Sequence, residues 1–140
     1  MADATVTRVL APGVATGEVV VLDEPLSFWG GLDPQTGRVV EARHPQAGET
    51  LTGRVIVMSS GRGSSSSSSV LAEAIRLGTA PAAIMLADAD VIVALGSIVA
   101  AELYGIEVPV VIVGDDDGLA SGDVVTVHAT VDGTVTISKR

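Results

Sequence analysis

The sequence predicts an α/β domain with a partly parallel central sheet, and three observations carry that prediction. Apolar β-branched runs alternate with helical stripes through the middle of the chain, in the order strand, helix, strand, helix, strand. The core has to be aliphatic: 47% of the 140 residues are hydrophobic and the mean hydropathy is +0.51, yet Phe28, Trp29 and Tyr104 are the only aromatics. Such a composition of Val, Ile, Leu and Ala suits strands buried on both faces. Finally, Asp132-Gly133 sits between two alternating runs and marks a closing hairpin. The length fits one domain, residues 1–140.

The elements follow in order. Residues 6–10 alternate and read as a strand, and Ala11-Pro12-Gly13 as a turn. A second strand covers 17–22. Pro25, Gly30-Gly31 and Asp33-Pro34 make 23–37 a loop. A short strand at 38–41 is broken by His44-Pro45-Gln46, and 54–58 reads as a buried strand. Apolar residues at 70, 71, 74, 75 and 77 form a helical stripe that leaves Glu73 and Arg76 outside, with Gly78 as its stop. A strand at 82–86 precedes a helix capped by Asp88 or Asp90 and ended by Gly105. Strands at 108–113, 124–128 and 134–138 complete the chain, with Asp115-Asp116-Asp117-Gly118 as a solvated turn.

Composition excludes several functions. Acids outnumber bases 17 to 8, for a formal charge of −9, so the surface repels phosphate backbones and nucleic acid is not an expected partner. With no cysteine, the chain has no thiolate to hold zinc or an iron–sulfur cluster. No apolar run is long enough to span a membrane, and the first residues lack the basic and apolar regions of a signal peptide. A cytoplasmic location is the expectation. His44 and His128 read as structural. Phe28-Trp29 reads either as a buried plug or as a partner contact.

The informative segment is Gly61-Arg62-Gly63-Ser64-Ser65, followed by Ser66 to Ser69 and the first helix. It follows the carboxyl end of a strand, where open α/β sheets bind ligands. Glycines allow close backbone approach, and the helix start offers N–H groups to an anion. A carboxylate or phosphate is the expected ligand group. Walker A is excluded because no Lys follows the loop, and the dinucleotide fingerprint because Ser66 stands where its third Gly would be. The Gly-x-Ser-x-Gly elbow is absent.

The chain resembles the small subunit of aconitase X, a swivelling-domain family. The matching residues are Leu22-Asp23-Glu24-Pro25-Leu26-Ser27-Phe28-Trp29-Gly30-Gly31, then Asp33-Pro34 with Thr36-Gly37, and His44-Pro45-Gln46 with Gly48. Gly61-Arg62-Gly63-Ser64-Ser65, Gly78-Thr79-Ala80-Pro81-Ala82 and Pro109-Val110-Val111 follow. The resemblance implies a β/β/α swivelling domain of aconitase type, with antiparallel strands around the parallel sheet. It implies a hydro-lyase subunit that is active only with a large subunit, which holds the iron–sulfur cluster. By the same resemblance Ser64 is the catalytic base, and Arg62, Gly63, Ser65 and Ser66 line the substrate site. Aconitases place an arginine two residues after the base, where this chain has Ser66. Arg62 or the partner then has to supply that charge. Bacterial members imply cis-3-hydroxy-L-proline as substrate and archaeal members mevalonate 5-phosphate. A non-catalytic anion-binding module on the same fold is a further alternative.

Overall fold

The computed structural model describes residues 6–60, 65–113 and 118–140. Its frame is a seven-stranded mixed sheet. The strands are β1 (Val6–Ala11), β2 (Gly13–Val21), β5 (Val55–Met58), β6 (Ala83–Leu86), β7 (Val110–Val113), β8 (Val124–Ala129) and β9 (Val135–Lys139), in the spatial order β1-β7-β6-β5-β2-β8-β9. β2, β5, β6 and β7 run parallel. β1 is antiparallel to β7, β8 to β2 and β9 to β8. The two edge strands, β1 and β9, come into contact, so the sheet curls toward closure. That is the expected α/β architecture with antiparallel strands around a parallel centre.

The turn expected at 11–13 shrinks to Pro12, because β2 starts at Gly13, four residues earlier than its apolar run. Its first half pairs with β8, from Gly13 opposite Ala129 to Glu18 opposite Val124. Its second half pairs with β5, from Val19 opposite Val55 to Val21 opposite Val57. A second small sheet corrects the reading of 23–37 as a continuous loop: β3 (Leu32–Asp33) pairs with β4 (Arg38–Val39). Asp33 organises the turn between them. Its carbonyl accepts from Gly37 N–H at 2.7 Å and its Oδ1 from Gln35 N–H at 2.9 Å. The residues that break a strand here also close a hairpin.

Helices α2 (Ser67–Leu77) and α3 (Val91–Tyr104) make the crossovers from β5 to β6 and from β6 to β7. They pack against each other on one face of the sheet. Asp90 caps α3, its Oδ1 accepting from Ile92 and Val93 N–H at 3.0 and 3.1 Å. Gly78 and Gly105 end the helices at φ of 78° and 69°, the left-handed geometry expected of a helix stop. The core has two parts. Between sheet and helices lie Leu22, Leu26, Phe28, Ile56, Leu71, Ile75 and Ile84 among others. Inside the curl lie Val19, Val55, Met85, Val111, Val125, Val127 and Ile137.

Gly96 sets the helix spacing. A Cβ on it would stand 2.8 Å from the Ser68 carbonyl oxygen and 3.2 Å from Leu71 Cβ. The obstacle is backbone, so the helices would have to separate. Gly96→Val is expected to destabilise the domain by about 2 kcal/mol, the scale of overpacking. Urea unfolding checks this, and a stability equal to wild type would show that the helix pair can slide apart freely.

Candidate active-site face

The parallel strands β2, β5 and β6 all deliver their following segments to one end of the sheet. Bonds beyond the strand ends hold these segments together. Leu22 N–H donates to Val57 O at 2.8 Å, and Asp88 N–H to Ser59 O at 2.9 Å. Ser65 and the serines after it lead into α2, the element that follows β5 in the chain.

Arg62, Gly63 and Ser64, with Gly61, lie outside the described residues, as does Asp115-Asp116-Asp117. Ser65 and Ser66 are exposed at the mouth of the loop, and Ser66 is the residue that opens α2. The helix starts at Ser67, three residues before its apolar stripe. The Ser68 hydroxyl turns back onto the Ser65 carbonyl at 3.0 Å. Ser67 is the residue whose role the sequence conceals. It is buried, its Oγ is 3.3 Å from Ser27 Oγ, and it accepts from Trp29 N–H at 3.3 Å. The serine tract is therefore no uniform linker: one of its hydroxyls fastens the segment 27–29 to the helix start.

That segment is the short turn α1 (Phe28–Gly31), in which Trp29 and Gly30 depart from helical geometry. The departure gives the two adjacent aromatics opposite fates. Phe28 is fully buried, whereas Trp29 is 58% exposed. Phe28 is the buried plug, and Trp29 is on the surface beside the start of α2.

The segment is braced from behind by His44-Pro45-Gln46. His44 is buried, and its Nδ1 accepts from Gln46 N–H at 3.0 Å. That nitrogen is therefore unprotonated, and Nε2 donates to the Glu24 carbonyl at 2.9 Å. The Gln46 side chain bonds Asp23 twice, donating to Oδ2 at 2.9 Å and accepting from its N–H at 3.1 Å. Two stretches far apart in sequence, 22–31 and 44–46, thus form one unit that positions Trp29 and Ser27. His44 is structural, as expected, and His128 is exposed on β8. The stretch Gly78-Thr79-Ala80-Pro81-Ala82 serves the opposite end of the sheet. Thr79 Oγ1 donates to Pro34 O at 2.6 Å, and Thr52 Oγ1 to Thr79 O at 2.7 Å.

Among the described residues, three carboxylates are held below the usual carboxylate range, none of them a candidate site residue. Glu73 is bonded by the Arg76 guanidinium on the outer face of α2, as its helix position predicts. Asp123 accepts from Ala120 N–H and pairs with Lys139. Asp132 accepts from the Thr130 hydroxyl and Thr134 N–H in the closing hairpin. A cavity of about 290 Å³, lined by Ala15, Ile75, Pro81 and Val108 among others, lies at the amino end of the parallel strands, away from the serine segment. Among the described residues no cluster of His, Cys, Asp or Glu could hold a metal ion, and no helix is long and apolar enough to cross a membrane.

Comparison with known proteins agrees with this geometry. Residues 4–137 match the aconitase X swivel domain family. The chain is 47% identical over 110 residues to cis-3-hydroxy-L-proline dehydratase of Pseudomonas aeruginosa, an alignment covering 79% of this chain and 19% of that protein. It is 44% identical over 93 residues to the phosphomevalonate dehydratase small subunit of Methanothermobacter thermautotrophicus, covering 66% of this chain and 71% of that one. The chain thus spans about a fifth of the length of the first relative and most of the second. The crystal structure of holo aconitase X from Thermococcus kodakaraensis superposes with a TM-score of 0.79 at 35% identity, over 97% of this chain and 96% of that one. The chain belongs to the aconitase X swivel domain family.

Proposed function

We propose that residues 1–140 are the swivelling domain of an aconitase X hydro-lyase, acting as the small subunit to a large subunit in a cytoplasmic heterodimer. The substrate in this reading is cis-3-hydroxy-L-proline, dehydrated to a pyrroline carboxylate. The observation that carries it is the 47% identity over 110 residues to the bacterial dehydratase of that name. Ser64 takes the proton beside the substrate carboxylate. Arg62, Gly63, Ser65 and Ser66 hold the substrate's anionic group, supported by the position of Ser65 and Ser66 at the exposed start of α2. Helix N–H groups and a neighbouring cation stabilise the serine alkoxide that such a base requires.

An iron–sulfur cluster does not fit this chain, which has no cysteine. The cluster, and departure of the hydroxide, belong to the large subunit in this reading. What this chain contributes is the proton acceptor and part of the anion site.

A second reading, mevalonate 5-phosphate as substrate, draws on the relatives whose own length this chain matches. One is the phosphomevalonate dehydratase small subunit of Thermococcus onnurineus, 38% identical over 122 residues, 87% of this chain and 89% of that one. Reconstitution under anaerobic conditions with the cognate large subunit tests both. Dehydration of cis-3-hydroxy-L-proline by the pair, and by neither chain alone, is the expected result. Turnover of mevalonate 5-phosphate instead would establish the second reading. A pair that assembles and turns over neither would leave a non-catalytic anion-binding module.

A further inference from the structure

Helices α2 and α3 run the same way. Each leaves the carboxyl end of one parallel strand and returns to the amino end of the next. Both therefore start at one end of the sheet and stop at the other. Their aligned peptide dipoles make the starting end positive and the stopping end negative. The cavity of about 290 Å³ lies at the stopping end.

Four segments that meet there form its walls. Ile75 and the cap Gly78 come from the end of α2, and Pro81 and Val108 from the approaches to β6 and β7. β2 adds Thr16, whose hydroxyl already meets Thr126 Oγ1 at 2.8 Å. Most of the lining is aliphatic. Glu107 is its one charged residue, and no Lys, Arg or His lines the cavity. Among the described residues Glu107 makes no hydrogen bond or ion pair. A carboxylate on apolar walls, beside the negative end of a helix, is left without a counter-charge.

We propose that this cavity is a second ligand site, which takes a small organic ammonium ion with a compact hydrocarbon body. The aliphatic walls cover the body, and Glu107 with the carboxyl end of α2 holds the charge. Carboxylates and phosphates do not fit, because the lining offers them no cation and the chain carries a formal charge of −9. An amino-acid zwitterion fails for the same reason at its carboxylate. A bare metal ion would leave the apolar walls unused. The eleven residues of α2 span about 16 Å, so this site is separate from the serine loop and does not depend on the dehydratase reading.

The test titrates the 140-residue chain with cyclopentylammonium chloride and follows backbone amide shifts by NMR. Saturable shifts are expected at Gly78, Ala82 and Val108, with a Kd in the low millimolar range, and none at Ser65 or Ser66. Glu107→Gln, an exposed substitution that leaves the core untouched, should raise that Kd tenfold or more. Asp88→Asn, at an exposed carboxylate at the other end of the sheet, should leave it within twofold. Methylammonium, which keeps the charge and lacks the ring, should bind at least tenfold more weakly, and cyclopentanecarboxylate should not saturate the site. No saturable shift of the cavity amides in the millimolar range overturns the proposal. An unchanged Kd in Glu107→Gln, or equal binding of methylammonium, overturns it as well by reducing the effect to counter-ion condensation on an acidic surface. Binding of the carboxylate as tightly as the amine overturns the assignment of charge.

Discussion

Phe28→Ala is expected to destabilise the domain by about 3–5 kcal/mol, the range for truncating a fully buried phenylalanine. Phe28 has no exposed surface and belongs to the cluster between sheet and helices that includes Leu22, Leu26, Ile56 and Leu71. Its backbone is constrained on both sides. His44 and Gln46 fix residues 23 and 24, and Ser67 fixes Trp29, so the site has little freedom to collapse around the missing ring. Total stability for a domain of this kind is about 5–15 kcal/mol, so the loss is a large fraction of it. Urea unfolding, followed by the fluorescence of the single tryptophan one residue away, reads the effect directly. Trp29→Ala, followed by circular dichroism, is the contrast. Its indole is mostly exposed, and the expected change is within about 1 kcal/mol. Equal losses from the two substitutions would show that the aromatics share one role, contrary to their burial.

How far the sequence carried this fold depends on whether the deciding forces are local. The succession β5–α2–β6–α3–β7 is legible because each element repeats its own apolar period, and because Asp90, Gly78 and Gly105 supply caps that act within a few residues. The start of α2 is not legible from pattern. Serine competes with the backbone for hydrogen bonds and favours helix interiors weakly. Ser67 enters the helix with its hydroxyl in contact with Ser27 and Trp29, about forty residues away. The β3–β4 hairpin is hidden for a related reason: Asp33-Pro34 and Gly37 are the same residues whether they end structure or turn it, and only pairing distinguishes the two. The early start of β2 likewise depends on β8, more than a hundred residues further on. For the site, local reasoning pointed to an anion-binding loop at 61–65 and the family motifs, by resemblance, to Ser64 as its base, and residues 61–64 lie outside the described ones. The geometry adds that two of those motifs, 22–31 and 44–46, brace one another behind Trp29. Their shared pattern therefore reports a structural unit beside the serine segment, and no catalytic group need be sought in His44.

Ser64→Ala in the reconstituted enzyme should lower kcat by on the order of 10² or more, the scale of losing a general base. A serine hydroxyl has a pKa far above neutral, so it accepts a proton only where its alkoxide is stabilised. The substitution removes one hydroxyl and no apolar contact surface. Folding should persist, since even a capping hydroxyl contributes at most about 1–2 kcal/mol, and the Kd for the large subunit should stay within threefold. Ser67→Ala should behave in the opposite way. Its hydroxyl is buried and accepts from Trp29 N–H, and removing it leaves that donor without its acceptor, at about 1–3 kcal/mol. Tm should fall while kcat of the folded enzyme stays within several-fold of wild type. The pair of variants thus separates catalysis from anchoring inside a run of six serines. Arg62→Ala should raise KM with a smaller change in kcat if the guanidinium binds the anionic group of the substrate. Ser65→Ala is the remaining comparison, because Ser65 is the next hydroxyl along the same loop. Near-normal turnover in Ser64→Ala, with turnover lost in Ser65→Ala, would move the base by one residue. Near-normal turnover in both would place the proton acceptor on the large subunit.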